Sequence, residues 1–308
     1  ETTARNETFT LPLDSGGTYN FDVGFENSLG AGTFDYTITA YNQAEATFTY
    51  PSAGTHTIWI RGTMQGFAFN NDGNGAAGGR LLMRDVLQWG GFEITETSTF
   101  WGCTSMTVSA TDAPTISSTN LSNTFRNCAL ITTIPGLALF DTSAVTVFTR
   151  SFYGMDLFDQ NLNVLDFSAT TTIQEMFRLA AAFNNGGVAP DWDWSGVTEI
   201  NGTFRSCTVM NLDCSAVSLG AVTNLSNAFA TCPAFEGYGL ETWDISAYSG
   251  TSSTFAGAST FPTAQYNAIL IAWEAQVEQS GVTINFGSSQ YGGSGKVARD
   301  VLTGTSTW

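Results

Sequence analysis

Between residues 100 and 255 the chain repeats one apolar mark. A Phe recurs as Phe100, Phe125, Phe152, Phe177, Phe204, Phe229 and Phe255, at intervals of 25, 27, 25, 27, 25 and 26 residues. A fixed period of this length is the signature of stacked repeat units. Four residues before the Phe stands an apolar residue in the five central units (Leu121, Phe148, Ile173, Ile200, Leu225), and three after it come Cys128, Met155, Ala180, Cys207 and Cys232. Offsets of four and three predict one short helix per unit with a single buried face. Eleven residues before the Phe, Asp141, Asp166, Asp193 and Asp244 are followed two positions on by Ser143, Ser168, Ser195 and Ser246, with Asp213 and Ser215 as a displaced pair. The residue before each Asp is apolar (Phe140, Leu165, Trp192, Leu212, Trp243). This predicts a short core-facing strand that leaves through an Asp-x-Ser turn. Such a unit buries its apolar face only by stacking on others, and each buried Phe then contributes about 1.5–3 kcal/mol.

The flanking segments carry other periods. Residues 1–88 contain short Thr- and aromatic-rich runs (Phe9 to Leu13, Tyr19 to Phe25, Thr33 to Tyr41, Glu45 to Tyr50, His56 to Arg61, Met64 to Phe69) separated by Gly, Asn, Ser or Pro. That pattern predicts an antiparallel β-sandwich. A Gly-rich stretch, Asn70 to Gly79, and the run Leu81 to Leu87 lead to Trp89, read as the junction with the repeats. After Phe261 the spacing becomes helical: Pro262 and Thr263 open a helix, Tyr266, Ile269, Leu270, Trp273 and Val277 form its face, and Gly281 ends it. A strand from Val282 to Phe286 and a short helix from Lys296 to Leu302 follow, which together read as a cap on the open end of the repeats.

Trp192-Asp193-Trp194-Ser195-Gly196-Val197-Thr198 leading to Phe204, Trp243-Asp244-Ile245-Ser246 leading to Phe255, and Glu175-Met176-Phe177 resemble the repeats of BspA-type leucine-rich-repeat-like surface proteins. The resemblance covers residues 89 to 261. The run Tyr50 to Ile60 looks like the penultimate hairpin of polycystic-kidney-disease-type Ig-like modules, although Gly24-Phe25-Glu26-Asn27 stands where those modules carry Trp-Gly-Asp-Gly. The resemblances imply a mainly β fold with short helices: an Ig-like β-sandwich over 1–88, a leucine-rich-repeat-like solenoid of seven units over 89–261, and a small α/β cap over 262–308. They also imply a setting, since such proteins occur on bacterial cell surfaces, as adhesins, and in phage fibres or appendages.

Composition narrows the function classes. Ten Lys plus Arg against 27 Asp plus Glu give a formal net charge of −17, which repels nucleic acid and anionic membranes over most of the surface. Apolar residues make up 43% of the chain, enough for a substantial core. Lys296 and His56 are the only Lys and His, so most general bases, Schiff-base amines and imidazole ligands are missing. No apolar run approaches the roughly 18 residues that span a bilayer. The chain opens Glu1-Thr2-Thr3 without a signal-peptide pattern and ends at Trp308; it is expected to be soluble and a segment of a longer product.

Several candidate sites have plainer readings. Cys103, Cys128, Cys207 and Cys232 share the column three after the Phe, where Met155 and Ala180 replace them. Buried free thiols are expected there, with bridges between stacked units as the alternative, and Cys214 is assigned to the core. His56 shares strand parity with Ile58 and Ile60 and reads as packed. Asp156 with Asp159, and Asp191 with Asp193 near Glu199, are carboxylate pairs of the kind a glycosidase sets across a cleft, but Asp193 already belongs to the repeat turn. Asn70-Asn71-Asp72-Gly73-Asn74-Gly75 lacks the acids of a calcium loop and reads as a Gly-rich turn, adventitious calcium being the alternative; no cofactor or metal is expected. Sequons at Asn6, Asn120, Asn201 and Asn224 follow from repeat composition.

The residue directly after each repeat Phe is more suggestive. This column reads Trp101, Arg126, Tyr153, Arg178, Arg205, Ala230 and Ala256, and holds three of the nine Arg. Regular stacking turns it into a surface stripe suited to an acidic glycan. The competing reading is intramolecular, with each Arg pairing to a repeat Asp or covering apolar surface with its stem. Together these features predict a non-enzymatic extracellular or virion-exposed structural and binding protein. A phage fibre, decoration or receptor-binding component comes first, a bacterial cell-surface adhesin second and a polysaccharide-degrading enzyme third. The expected partners are a host-surface glycan or protein, other virion or surface subunits, or another copy of the chain.

Overall fold

The computed structural model describes residues 8–25, 34–50, 54–69, 79–258, 260–276 and 282–305. Five strands form in its N-terminal part: β1 (Thr8–Thr10), β2 (Leu13–Phe25), β3 (Tyr36–Ile38), β4 (Thr47–Thr49) and β5 (Ile58–Phe67). β2 pairs antiparallel with β3 and β5, in the order β3-β2-β5, and β1 and β4 make a separate antiparallel pair. Alternation along β2 buries Tyr19, Phe21 and Val23, while Asp22 on the other face accepts from Arg61 at 2.8 Å and from Thr37 at 2.8 Å.

These strands do not make the expected Ig-like sandwich. Three of the five span only three residues, too short to build two facing sheets. The buried face instead continues into the repeats. Phe67 lies 5.4 Å from Phe92 and 6.1 Å from Phe100, centroid to centroid, and Phe69 N–H donates to the Thr99 carbonyl at 3.1 Å. A one-turn helix, α1 (Gly79–Leu82), leads to β6 (Asp85–Val86) and β7 (Glu93–Ile94), which pair in parallel with β8 (Thr107–Val108) and β9 (Thr115–Ile116).

The leucine-rich-repeat-like solenoid is likewise not what the repeats build. Among the described residues no sheet exceeds three strands, and helical residues between 89 and 261 are confined to single 3₁₀ turns at Leu137–Leu139, Asn185–Gly187 and Leu240–Thr242. None of the strands expected to end at the residue before each Asp forms among the described residues; β10 (Asp193–Trp194) starts at the Asp itself and pairs in parallel with β11 (Ser218–Leu219). Elsewhere the units meet at isolated bridges, Asn120 to Val147, Val147 to Thr172 and Glu199 to Asn224.

The expected helices are replaced by alternating turns. Residues two before the Phe (Ser98, Asn123, Arg150, Glu175, Gly202, Asn227) and two after it (Gly102, Asn127, Gly154, Leu179, Ser206, Thr231, Gly257) are left-handed, with φ of 53° to 83°. Successive N–H groups therefore point alternately backward and sideways. Thr124, Arg126 and Cys128 donate to Leu121, Asn123 and Phe125 within their own unit, whereas Asn123, Phe125 and Asn127 donate to Thr149, Ser151 and Tyr153 of the next unit at 3.0, 3.0 and 2.7 Å. A helix would direct every N–H along its own axis and leave none for the neighbour. Asn and Gly tolerate this conformation readily; Arg150, Glu175, Leu179 and Thr231 are held in it by the inter-unit bonds.

The apolar offsets still all face inward, and the repeat rings form one column. Neighbouring rings from Phe100 to Phe255 have centroids 5.4–6.2 Å apart and planes within 22° of parallel. Asp141, Asp166, Asp193, Asp213 and Asp244 each accept from the N–H of the Ser two residues on, at 2.9–3.1 Å. Beyond the last unit come β12 (Thr251–Ser252), α2 (Thr263–Glu274), β13 (Thr283–Ile284), parallel to β12, and α3 (Gly293–Thr305). There Phe286 stacks on Phe255 at 4.9 Å and Trp273 donates its indole N–H to the Leu240 carbonyl at 3.0 Å. One continuous core runs from Phe9 to Leu302.

Candidate functional site

The alternating turns fix the column directly after the repeat Phe. The N–H two positions after one Phe donates to the carbonyl one position after the next: Gly102 to Arg126, Asn127 to Tyr153, Gly154 to Arg178 and Leu179 to Arg205, at 2.7–2.9 Å. Trp101, Arg126, Tyr153, Arg178 and Arg205 thus share one flank, each half-buried.

Four of these five meet face to face. The Arg126 guanidinium lies 4.4 Å from the Trp101 ring centroid and 4.7 Å from that of Tyr153, and Arg178 covers Tyr153 at 5.6 Å. Ring and guanidinium planes therefore alternate along the stack, each contact contributing about 0.5–1 kcal/mol when exposed and about 2 when desolvated. Arg126 also donates to Asn123 Oδ1 at 3.1 Å. Arg205 occupies the next rung, and among the described residues its side chain has no ring, hydrogen-bond or ion-pair partner.

Three further members were not singled out from the sequence. Glu175, in the column two before the Phe, accepts from Arg150 Nε at 2.5 Å and from Arg178 Nη1. Burial pushes the Glu175 carboxyl up, but the two guanidiniums outweigh it and hold the pKa below the usual range. Burial, and then the charge of Arg150, lower that of Arg126. Arg80 lies over Gly102, beside Trp101: a Cβ on that glycine would stand 3.1 Å from Arg80 Cδ. Arg150 and Glu175 do share one repeat offset, which was the available signal; Arg80 precedes the repeats and had none. The guanidiniums of Arg150 and Arg178 thus converge on the Glu175 carboxylate, with Arg126 and Arg205 on neighbouring rungs and Arg80 beside Gly102. Planar N–H forks of this kind pair bidentately with carboxylate, sulfate or phosphate.

The other candidates are absorbed into the fold. All five cysteines are buried free thiols. Cys128, Cys207 and Cys232 donate to the Phe100, Phe177 and Phe204 carbonyls at 2.8–3.1 Å. Burial raises every thiol, those of Cys214 and Cys232 to about 12. His56 stacks on Tyr50 at 4.0 Å. Asp159 accepts from the N–H groups of Asn184 and Gly186 at 2.8 and 2.7 Å, so it closes a loop as Asp193 closes its turn. Asn120 and Asn224 use their side-chain carbonyls to accept from Ser122 and Ser226. Asn6 and the run Asn70 to Gly75 lie outside the described residues. Among the described residues no three His, Cys, Asp or Glu cluster as a metal site, and no helix is long and apolar enough to cross a membrane.

Fold and flank together define a turn-rich repeat protein with an arginine–aromatic ladder on one side. Family comparison agrees with the repeats: the model described as "Mycoplasma protein of unknown function, DUF285" matches residues 94–187, 119–238 and 185–277. These matches jointly span more than half of the chain, which belongs to this family. No curated protein and no solved structure matches it.

Proposed function

We propose that the protein is a non-enzymatic structural and binding protein exposed on a virion or cell surface, a phage fibre, decoration or receptor-binding component that engages a host surface or neighbouring subunits. The observation that carries this reading is the ladder of Trp101, Arg126, Tyr153 and Arg178, continued by Arg205. It is a preorganised cationic strip on a chain of net charge −17, and preorganised donors lose little entropy on binding. The BspA-type character of the repeats supports the surface setting. A bacterial cell-surface adhesin is the second reading, favoured by the bacterial description of the family. Antibodies against the purified protein, applied to intact source cells and purified particles, are expected to label the outside of one of them. Labelling only after lysis, with none on particles, would refute both readings.

A further inference from the structure

We infer that the arginine–aromatic ladder binds a linear acidic polysaccharide laid along the stack, its carboxylate or sulfate groups meeting successive guanidiniums. This rests on the surface-binding reading above and names its ligand. Arg80, Arg126, Arg150, Arg178 and Arg205 are five of the nine Arg in the chain, and among the described residues Glu175 is the one carboxylate bonded to them. Screening confines the repulsion of distant acids to about 8–10 Å, so a ligand in contact with the ladder feels the ladder first.

The donors are fixed but largely unspent. Trp101 and Tyr153 hold the Arg126 and Arg178 planes by stacking, and each of these guanidiniums makes one side-chain hydrogen bond, to Asn123 and Glu175 respectively. Each carries five N–H groups, of which the Nε–H is buried and the terminal nitrogens hold the remaining donors. Arg205 makes no such bond among the described residues.

Rung spacing and the adjoining surface suit a glycan. Hydrogen-bonded rungs repeat at about 4.8 Å, close to the length of one sugar residue in an extended chain. A groove of about 280 Å³ beside the ladder has the complementary chemistry, being lined by Thr171, Thr172, Gln174, Thr198, Glu199 and Asn201. It adjoins the ladder because Gln174 and Asn201 line it while their chain neighbours Glu175 and Gly202 lie against each other. Hydroxyl, amide and carboxylate groups of this kind pair with sugar hydroxyls.

Retention on immobilised polygalacturonate, dextran sulfate, neutral dextran, polyglutamate and single-stranded DNA tests the inference. The intact chain is compared with Arg205→Ala and with Arg299→Ala, a substitution in α3. Binding is expected on polygalacturonate (carboxylate) or dextran sulfate (sulfate), tightening with polymer length. Arg205→Ala should weaken it on the order of tenfold, as expected for loss of a charged hydrogen bond, and reduce its salt dependence, with an unaltered thermal midpoint. Arg299→Ala should leave it unchanged. No retention on either acidic polysaccharide, equal retention on polyglutamate or DNA, or equal loss in both variants would overturn the inference. Surface labelling is read separately: absent polymer binding removes this ligand alone, whereas an interior location removes the reading beneath it.

Discussion

The N-terminal strands and the repeats use the same aromatic-rich alphabet to opposite ends. In the β3-β2-β5 sheet the hydrogen bonds run directly between neighbouring antiparallel strands, with positive φ confined to Gly62 and Gly66 of β5, and rings nearby meet at varied angles, Phe9 on Phe69 at 69° and Phe67 on Phe69 at 86°. In the repeats the rings lie parallel in one column, and the backbone divides its N–H groups between its own turn and the next unit. The sheet is therefore stabilised by pairing set within its own strands. A repeat is stabilised by its neighbours, as nearest-neighbour coupling requires.

The sharpest way to break this comparison is to remove one ring from the column. Phe177 is fully buried and stacks on Phe152 at 5.6 Å, Phe183 at 4.2 Å and Phe204 at 5.5 Å. Phe177→Ala is expected to cost about 3–5 kcal/mol in denaturant unfolding. Hydrogen exchange should show lost protection spreading to the units of Phe152 and Phe204 while β2 and β5 keep theirs. Equal loss in β2 and β5 would mean that the shared contacts of Phe67 and Phe69 with Phe100 make one cooperative unit of both regions.

A smaller effect tests the turn itself. Gly154 has φ of 64°, and a Cβ there would stand 2.4 Å from Asn127 Oδ1. Gly154→Ala should destabilise by about 1–2 kcal/mol, the left-handed penalty, whereas in a helix the same change stabilises by about 1 kcal/mol. The sign of the change in the denaturation midpoint separates the two backbones.

The smallest effect is one of pH. The Ser hydroxyl and then the Ser N–H depress the carboxyls of Asp141, Asp166 and Asp244 below their ordinary value of 3.8. An unfolded chain then binds protons that the folded one does not, so the stabilisation is complete above 3.8 and is lost as pH falls through the lowered folded values. Replacing the three Asp by Asn keeps the acceptor oxygen and removes the titration. Thermal midpoints of the variant are expected to fall less steeply in acid than those of the parent; parallel curves would place the acid sensitivity elsewhere, with Asp22, lowered by Arg61 and Thr37, as the sheet's own contributor.

The ladder was partly legible for the same reason as the core. Trp101, Arg126, Tyr153 and Arg178 recur at one offset, so any regular stacking brings them onto one flank. Their use of each other was not legible: stacking of Arg126 between two rings depends on the distance between units, and Arg80 reaches Gly102 from outside the period. The competing intramolecular reading named the repeat Asp as partner, whereas Arg178 pairs with Glu175 because the left-handed turn sets that residue beside it.

The sequence by itself determined which residues face inward, the single Phe column, the Asp-x-Ser turns and the helix that opens at Thr263, because each follows from local spacing or from bonds two residues apart. Tertiary structure alone decided that the repeat backbone alternates turns instead of coiling into helices, that the strands stop at sheets of two or three, and which charges join the ladder. Offsets of four and three point inward in either backbone; the choice between them lies in N–H groups whose acceptors are a full repeat away, and no local pattern carries that information.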